Sequence, residues 1–204
     1  MKLLLATKNK AKINEYKEFF KEMPSLEVLT LNDLNISDDV EETGKTFLEN
    51  ALLKAKTYAE KSGVLTLSED GGLEIEALGN EPGVYSRRWP GYEAPDEELI
   101  HLALKKMENI SNRKAKLSVV AVLYDPKKNE HKDFSSEING KITEDFDGRI
   151  KEGFPFRSIF YVPELQKLLI DFTKEDHEQI NHRREIVDQI IKYLNLRENK
   201  VQYK

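Results

Sequence analysis

Leu3-Leu4-Leu5-Ala6 is an unbroken apolar run followed by the polar stretch Thr7-Lys8-Asn9-Lys10, the pattern of a strand buried on both faces of an α/β sheet. From Lys10 to Met23 the apolar residues Ile13, Tyr16, Phe19, Phe20 and Met23 recur at three and four until Pro24, which predicts a helix directly after that strand. Glu27 to Leu31 reads as a second strand, and Asn32 to Glu42 as an acidic loop without periodicity. Thr46 with Glu49 forms a capping box, so a helix is expected to start there, bury Phe47, Ala51, Leu52, Ala55 and Tyr58, and stop at Gly63. Val64-Leu65-Thr66-Leu67 is strand-like, Ser68-Glu69-Asp70-Gly71-Gly72 reads as an interrupting loop, and Leu73 to Leu78 alternates with period two. The Gly/Pro-rich stretch 79–95 is a structured loop, and helical spacing resumes from Asp96 to Met107. Leu117–Tyr124 and Glu130–Ile138 flank Asp125-Pro126-Lys127-Lys128-Asn129 as a hairpin. The Gly- and aromatic-rich loop Gly148–Tyr161 then leads to a last helix over about residues 175–195. The sum is a mixed-sheet α/β protein.

A length of 204 residues suits one domain or two closely fused lobes. With 39% hydrophobic and 34% charged residues the chain has the content of a globular fold rather than a membrane protein. Its net charge of -5 gives no general attraction to nucleic acid, so duplex nucleic acid and membrane are not expected partners. No cysteine occurs, which excludes disulfides, thiolate catalysis and Cys-bound zinc. The apolar start is too short for a signal segment, and the cytoplasm is the expected location.

Four clusters carry candidate chemistry. Thr7-Lys8-Asn9-Lys10-Ala11-Lys12 joins the first strand to the first helix; backbone N–H groups, helix dipole and lysines converge there on a possible anion site. The same residues would also serve as a simple cap with solvated lysines, since no Walker-type or GxGxxG glycine pattern is present. Next, Glu41 and Glu42 precede a helix in which Lys54 lies beside Asn50 and Ala51, a placement that can aim a lysine at a ligand, although most helix lysines are surface charges. Third, the adjacent carboxylates Glu69 and Asp70, bordered by Gly71, repel each other and favour a divalent cation or a raised pKa; the alternative is a solvated acidic turn. Last come Gly153-Phe154-Pro155-Phe156-Arg157 and His182-Arg183: the rings can stack on a planar base while His and Arg donate to an exocyclic oxygen, or they are core aromatics and an exposed helical pair. No histidine has a partner at zinc-ligand spacing, and no nucleophile elbow occurs.

Read in order, Thr7-x-Asn9-x-x-Lys12-x-x-Glu15, Glu42-Thr43-Gly44-x-Thr46-Phe47-x-Glu49-Asn50-Ala51-x-x-Lys54-Ala55, Glu69-Asp70-x-Gly72-Leu73, Ala77-Leu78-Gly79-x-x-Pro82-Gly83-x-x-Ser86-x-Arg88 and His182-Arg183 resemble the inosine triphosphate pyrophosphatase family over roughly residues 3–190. The resemblance implies an elongated mixed β-sheet with flanking helices, forming two lobes of one domain (residues 1–204) around a nucleotide-binding cleft. It also implies a homodimer and Mg-dependent hydrolysis of purine nucleoside triphosphates (ITP, dITP, XTP) to monophosphate and pyrophosphate. Carried over, Thr7, Lys8, Asn9, Lys10 and Lys12 would hold the triphosphate with Lys54 adding charge. Glu41 or Glu42 would bind Mg with Asp70, helped by Glu69, and Asp70 would orient or deprotonate the attacking water. Gly71, Phe154, Phe156 and Arg157 complete the substrate set with His177, and His182 and Arg183 would read the 6-oxo group of the purine. A 6-amino group would face donors with donors, at roughly 1–3 kcal/mol for each group left unpaired.

The base-binding half departs from the family pattern. Gly153-Phe154-Pro155-Phe156-Arg157-Ser158 stands where Gly-Phe-Gly-Tyr-Asp-Pro is common, His177 replaces a lysine, and Asn181 a serine. These changes motivate a rival class, a nucleotide-binding protein with little or no turnover; a third, an RNA-binding module stacking bases on Phe154 and Phe156, lacks the basic groove it needs. Arg157 is expected to point outward and pair with Asp147 or Glu152, because a lone guanidinium in an aromatic pocket is costly to desolvate.

Overall fold

The computed structural model describes residues 1–202, with side chains through Arg197. The chain falls into two compact units, one formed by Met1–Asp70, Val120–Ser136 and the C-terminal segment from His182, the other by Gly71–Val119 and Glu137–Asn181.

The first unit opens as its sequence predicts. β1 (Lys2–Leu5) lies parallel to both β2 (Glu27–Thr30) and the start of β3 (Leu65–Ile75), with Leu4 opposite Leu29 and Thr66. A central parallel strand faces protein on both sides, which is why Leu3, Leu4 and Leu5 are at most 1% exposed. α1 (Lys10–Phe19) follows at once, capped by Asn9, whose side chain accepts from the Ala11 and Lys12 N–H groups. α2 (Phe47–Ser62) carries the expected capping box of Thr46 and Glu49 and ends on Gly63 in the left-handed conformation. Its buried stripe is Asn50, Ala51, Ala55, Tyr58 and Ala59; small residues let it lie close to Val122 and Tyr124.

The second unit holds β4 (Glu81–Pro82) on the far half of β3, and α3 (Asp96–Lys106) packs Leu99, Ile100 and Ala103 into the core. β5 (Lys114–Asp125) and β6 (Glu130–Ile142) form the predicted hairpin, longer at both ends, and each runs through both units. β7 (Phe160–Val162) pairs with β6 and with β8 (Lys167–Leu168), both antiparallel. The strand order is β2-β1-β3-β5-β6-β7-β8, with β4 on β3: a mixed sheet in an α/β fold, as expected.

Two expectations are corrected. Residues 68–72 are not a loop; they continue β3 without interruption. Ser68, Glu69 and Asp70 are poor strand formers by composition, yet they are 1%, 3% and 7% exposed, and β3 has a neighbour on each side. Pairing and burial override local preference there. The last helix is also two: α4 (Lys174–Gln179) ends before the extended Ile180, and α5 (His182–Gln202) begins two residues later. Ile180 packs on the core of the second unit, whereas Ile186, Val187, Ile190 and Leu194 of α5 are buried in the first.

Candidate functional site

Because 69 and 70 are neighbours on a strand, their side chains leave on opposite faces. The adjacent carboxylates therefore leave β3 on opposite sides, while Lys12 lies close enough to act on both.

On one face, Asp70 meets α2. Its Oδ2 accepts from Asn50 Nδ2 at 3.0 Å, while Asn50 Oδ1 accepts from the Gly44 N–H at 2.8 Å. The amide thus ties the turn before α2 to the carboxylate, and a side chain at residue 44 would meet Asn50 Oδ1 at 2.6 Å. Lys54, one turn further along α2, pairs with Glu42. Burial raises the Asp70 carboxyl above its ordinary range, and Glu42 pushes it the same way; Lys54, Lys12 and the Asn50 hydrogen bond counter in part. The sequence places Asn50 beside Lys54 and within the family motif but gives it no role of its own. The available signal was a polar residue set squarely in the apolar stripe of a helix, where burial demands a partner.

On the other face, Glu69 is enclosed. Arg183 reaches it through Nε (3.1 and 2.9 Å) and Nη2 (2.8 Å), Lys12 Nζ lies 2.9 Å away, and the Tyr16 hydroxyl donates to it. Glu15 accepts from Arg183 Nη1 at 3.3 Å. Burial alone would push Glu69 up, but Arg183, Lys12 and these hydrogen bonds outweigh it and hold the carboxyl well below its ordinary range. Tyr16 goes the other way: burial and the Glu69 charge keep its phenol protonated.

Glu69 lies in a buried ion cluster, and Arg183 presents its guanidinium to Glu69 and Glu15. Both are 5% exposed or less, so neither the solvated acidic turn nor the exposed helical pair describes them.

The remaining predicted residues divide as follows. Thr7 accepts from the Asn9 N–H at 3.2 Å, Lys8 reaches the Ser37 carbonyl at 2.7 Å and Asp39 at 2.8 Å, and Lys10 is exposed. Glu41 is exposed, and among the described residues no group of three His, Cys, Asp or Glu side chains is placed to hold a metal. Of the alternatives Glu41 and Glu42, Glu42 lies close enough to Asp70 for its charge to act on that carboxyl. Glu42 and Asp70 are hard oxygen donors of the kind a divalent cation takes, its other positions being filled by water and phosphate oxygens. His182 is buried at the start of α5.

Gly71, Phe154, Phe156, Arg157 and His177 belong to the second unit. A side chain at Gly71 would collide with the Ser118 carbonyl at 2.4 Å. Phe156 sits in the hydrophobic core, and His177 Nδ1 lies 3.0 Å from Asn181 Nδ2. Arg157 does not point outward. It is 5% exposed with its guanidinium carbon 3.9 Å from the centre of the Phe154 ring, and Asp147 is bonded to Arg149. Stacking a weakly hydrated planar cation on an aromatic face removes much of the cost that favoured the outward placement.

The fold and these motifs find close counterparts. The model of the Ham1 family matches residues 3–193. The chain belongs to the Ham1 family. It is 37% identical over 193 residues to a dITP/XTP pyrophosphatase of Staphylococcus aureus (strain MRSA252), covering 94% of this chain and 95% of that protein. A dITP/XTP pyrophosphatase of Staphylococcus epidermidis (strain ATCC 12228 / FDA PCI 1200) is 36% identical over 192 residues, with the same coverage. Among solved structures, the Ham1 protein of Staphylococcus aureus superposes with a TM-score of 0.83 at 35% identity, and a HAM1 protein of Coxiella burnetii with 0.84 at 31%; each comparison covers 96% of this chain and 98% of the other. This Ham1 chain keeps the family fold nearly end to end. No helix among its described residues is long and apolar enough to cross a membrane.

Proposed function

We propose that the chain hydrolyses non-standard purine nucleoside triphosphates, ITP, dITP and XTP, to the monophosphate and pyrophosphate. The single observation that carries the reading is Asp70: a buried carboxylate held by Asn50 beside the Lys54–Glu42 pair, in a chain that matches dITP/XTP pyrophosphatases over nearly its whole length. Water adds to phosphorus, the bond to the pyrophosphate oxygen breaks, and a proton must leave the water as it attacks. A carboxylate whose charged form burial has made less comfortable is a better base for that proton than a solvated one. Lys54 and Lys12 supply positive charge for the phosphates, with Thr7, Lys8, Asn9 and Lys10 at the rim of the same turn. Glu42 and Asp70 would hold Mg2+, which when bound screens phosphate charge and polarises the P–O bonds. His182, buried at the start of α5, would donate to the purine 6-oxo group together with Arg183.

The test is product identity across nucleotides. ITP, dITP and XTP should give monophosphate and pyrophosphate in Mg2+ buffer, ATP should be turned over far more slowly, and a chelator should abolish the reaction. Release of inorganic phosphate would reject the cleavage position. Binding of ITP with no product would favour a nucleotide-binding protein of the same fold.

A further inference from the structure

The Glu69 cluster contains two cations, Lys12 and Arg183, two carboxylates, Glu69 and Glu15, and the neutral Tyr16 hydroxyl, so it is close to charge-balanced by itself. Its members are not equally buried. The Glu69 and Arg183 side chains are 1% and 6% exposed, but Lys12 is 18% exposed. Lys12 therefore stands between an enclosed carboxylate on its inner side and solvent on its outer side. It lies in the first turn of α1, directly after the Thr7–Asn9 turn. An ammonium has three donors on a compact charge, so it can serve an inner and an outer anion, and each anion it serves weakens its hold on the other.

From this arrangement we infer that Glu69 is a positioning residue that acts as an internal counter-anion to Lys12: it takes part of the lysine's charge and thereby limits how tightly the site holds a phosphate oxyanion arriving from outside. The inference rests on the reading of the Thr7–Lys12 turn as the phosphate-binding element. Its consequence concerns the product. A hydrolase that releases pyrophosphate must not grip it, and an inner carboxylate that competes for the same ammonium weakens that grip without removing the cation.

A merely structural Glu69 predicts that any change weakens binding; a counter-anion predicts that neutralising it strengthens binding. Glu69→Gln is the discriminating variant, since Arg183 keeps the Glu15 carboxylate and the amide keeps the side-chain shape. Inorganic pyrophosphate is titrated calorimetrically into the full chain at fixed ionic strength, with and without Mg2+. Glu69→Gln should bind it more tightly by about three- to tenfold, the upper figure being 1.4 kcal/mol, and the KM for ITP should fall without a rise in kcat. Lys12→Met should bind more weakly, and adding Glu69→Gln to Lys12→Met should give no further tightening. Equal or weaker binding by folded Glu69→Gln, the same tightening without Lys12, or no pyrophosphate binding by wild type would each overturn the inference. Should Glu69→Gln fail to fold, a wild-type structure with pyrophosphate decides: Lys12 Nζ must donate to the anion, and a lysine still turned only to Glu69 would refute the claim. Absence of ITP and XTP turnover would sink the proposed reaction but leave this titration readable, because it needs no turnover.

Discussion

Replacing Arg183 by Met removes the guanidinium that holds Glu69 while keeping an unbranched side chain of similar reach. In the wild type Arg183 makes three contacts to Glu69 at 2.8–3.1 Å and one to Glu15 at 3.3 Å, from a side chain 6% exposed. Removing one partner of such a pair leaves a buried charge uncompensated, a change that costs about 3–5 kcal/mol. Lys12 and Tyr16 still bond to Glu69, so the lower figure, about 3 kcal/mol, is the appropriate one here. In a chain of this size each kcal/mol moves Tm by roughly 2–4 °C, so the melting temperature should fall by about 6–12 °C. Thermal and urea unfolding followed by circular dichroism measure this directly. Adding Glu69→Gln to Arg183→Met should return a substantial part of the loss, because the stranded charge is then gone. A fall below about 2 °C, or strictly additive effects of the two substitutions, would refute the account of a buried, mutually dependent ion cluster.

Asn50→Ala should destabilise by about 1–3 kcal/mol, since it strands the Gly44 N–H and removes a donor from Asp70; hydrolysis should fall more than stability alone explains, measured by kcat on protein shown to be folded. Gly72→Ala places a methyl 2.1 Å from Ser86 Oγ and 2.5 Å from the Gly83 carbonyl. It should break the Ser86 bonds to the Leu73 N–H and Gly83 oxygen and cost about 1–3 kcal/mol in urea unfolding. Asp125 is pushed up by partial burial, but Arg197 and the Lys127 and Lys128 N–H groups hold its carboxyl below the ordinary value. A depressed carboxyl stabilises the fold above its unfolded pKa and loses that contribution as pH falls through the folded value. Arg197→Gln should therefore lower stability by roughly 0.5–1 kcal/mol at neutral pH, and the gap to wild type should close below about pH 4.

Much of the frame was legible because local signals and tertiary context agree. The Leu3–Ala6 run, the capping box at Thr46 and Glu49, the stop at Gly63 and the hairpin around Asp125–Asn129 each appear where the pattern puts them. The failures share a cause. Ser68 to Gly72 has the composition of a turn, yet it continues β3 with residues 68–70 buried. That one misreading joined Glu69 to Asp70 as a pair, whereas the strand turns them to opposite faces. The outward placement of Arg157 fails for a related reason: a cation looks exposed until its partners are known, and the Phe154 ring covers this one, just as Glu69, 114 residues away, meets Arg183. Long-range compensation of buried charge leaves no local trace.

The measurement that bears most directly on the account is turnover of ITP and XTP by Asp70→Asn with products separated by type. The amide keeps the size of the carboxylate and can still accept from Asn50 Nδ2, so folding and nucleotide binding should persist. It can neither balance a divalent cation nor take a proton, so formation of monophosphate and pyrophosphate should drop by at least about 100-fold. Near-wild-type turnover in folded Asp70→Asn would contradict the central claim and move the chemistry to another residue.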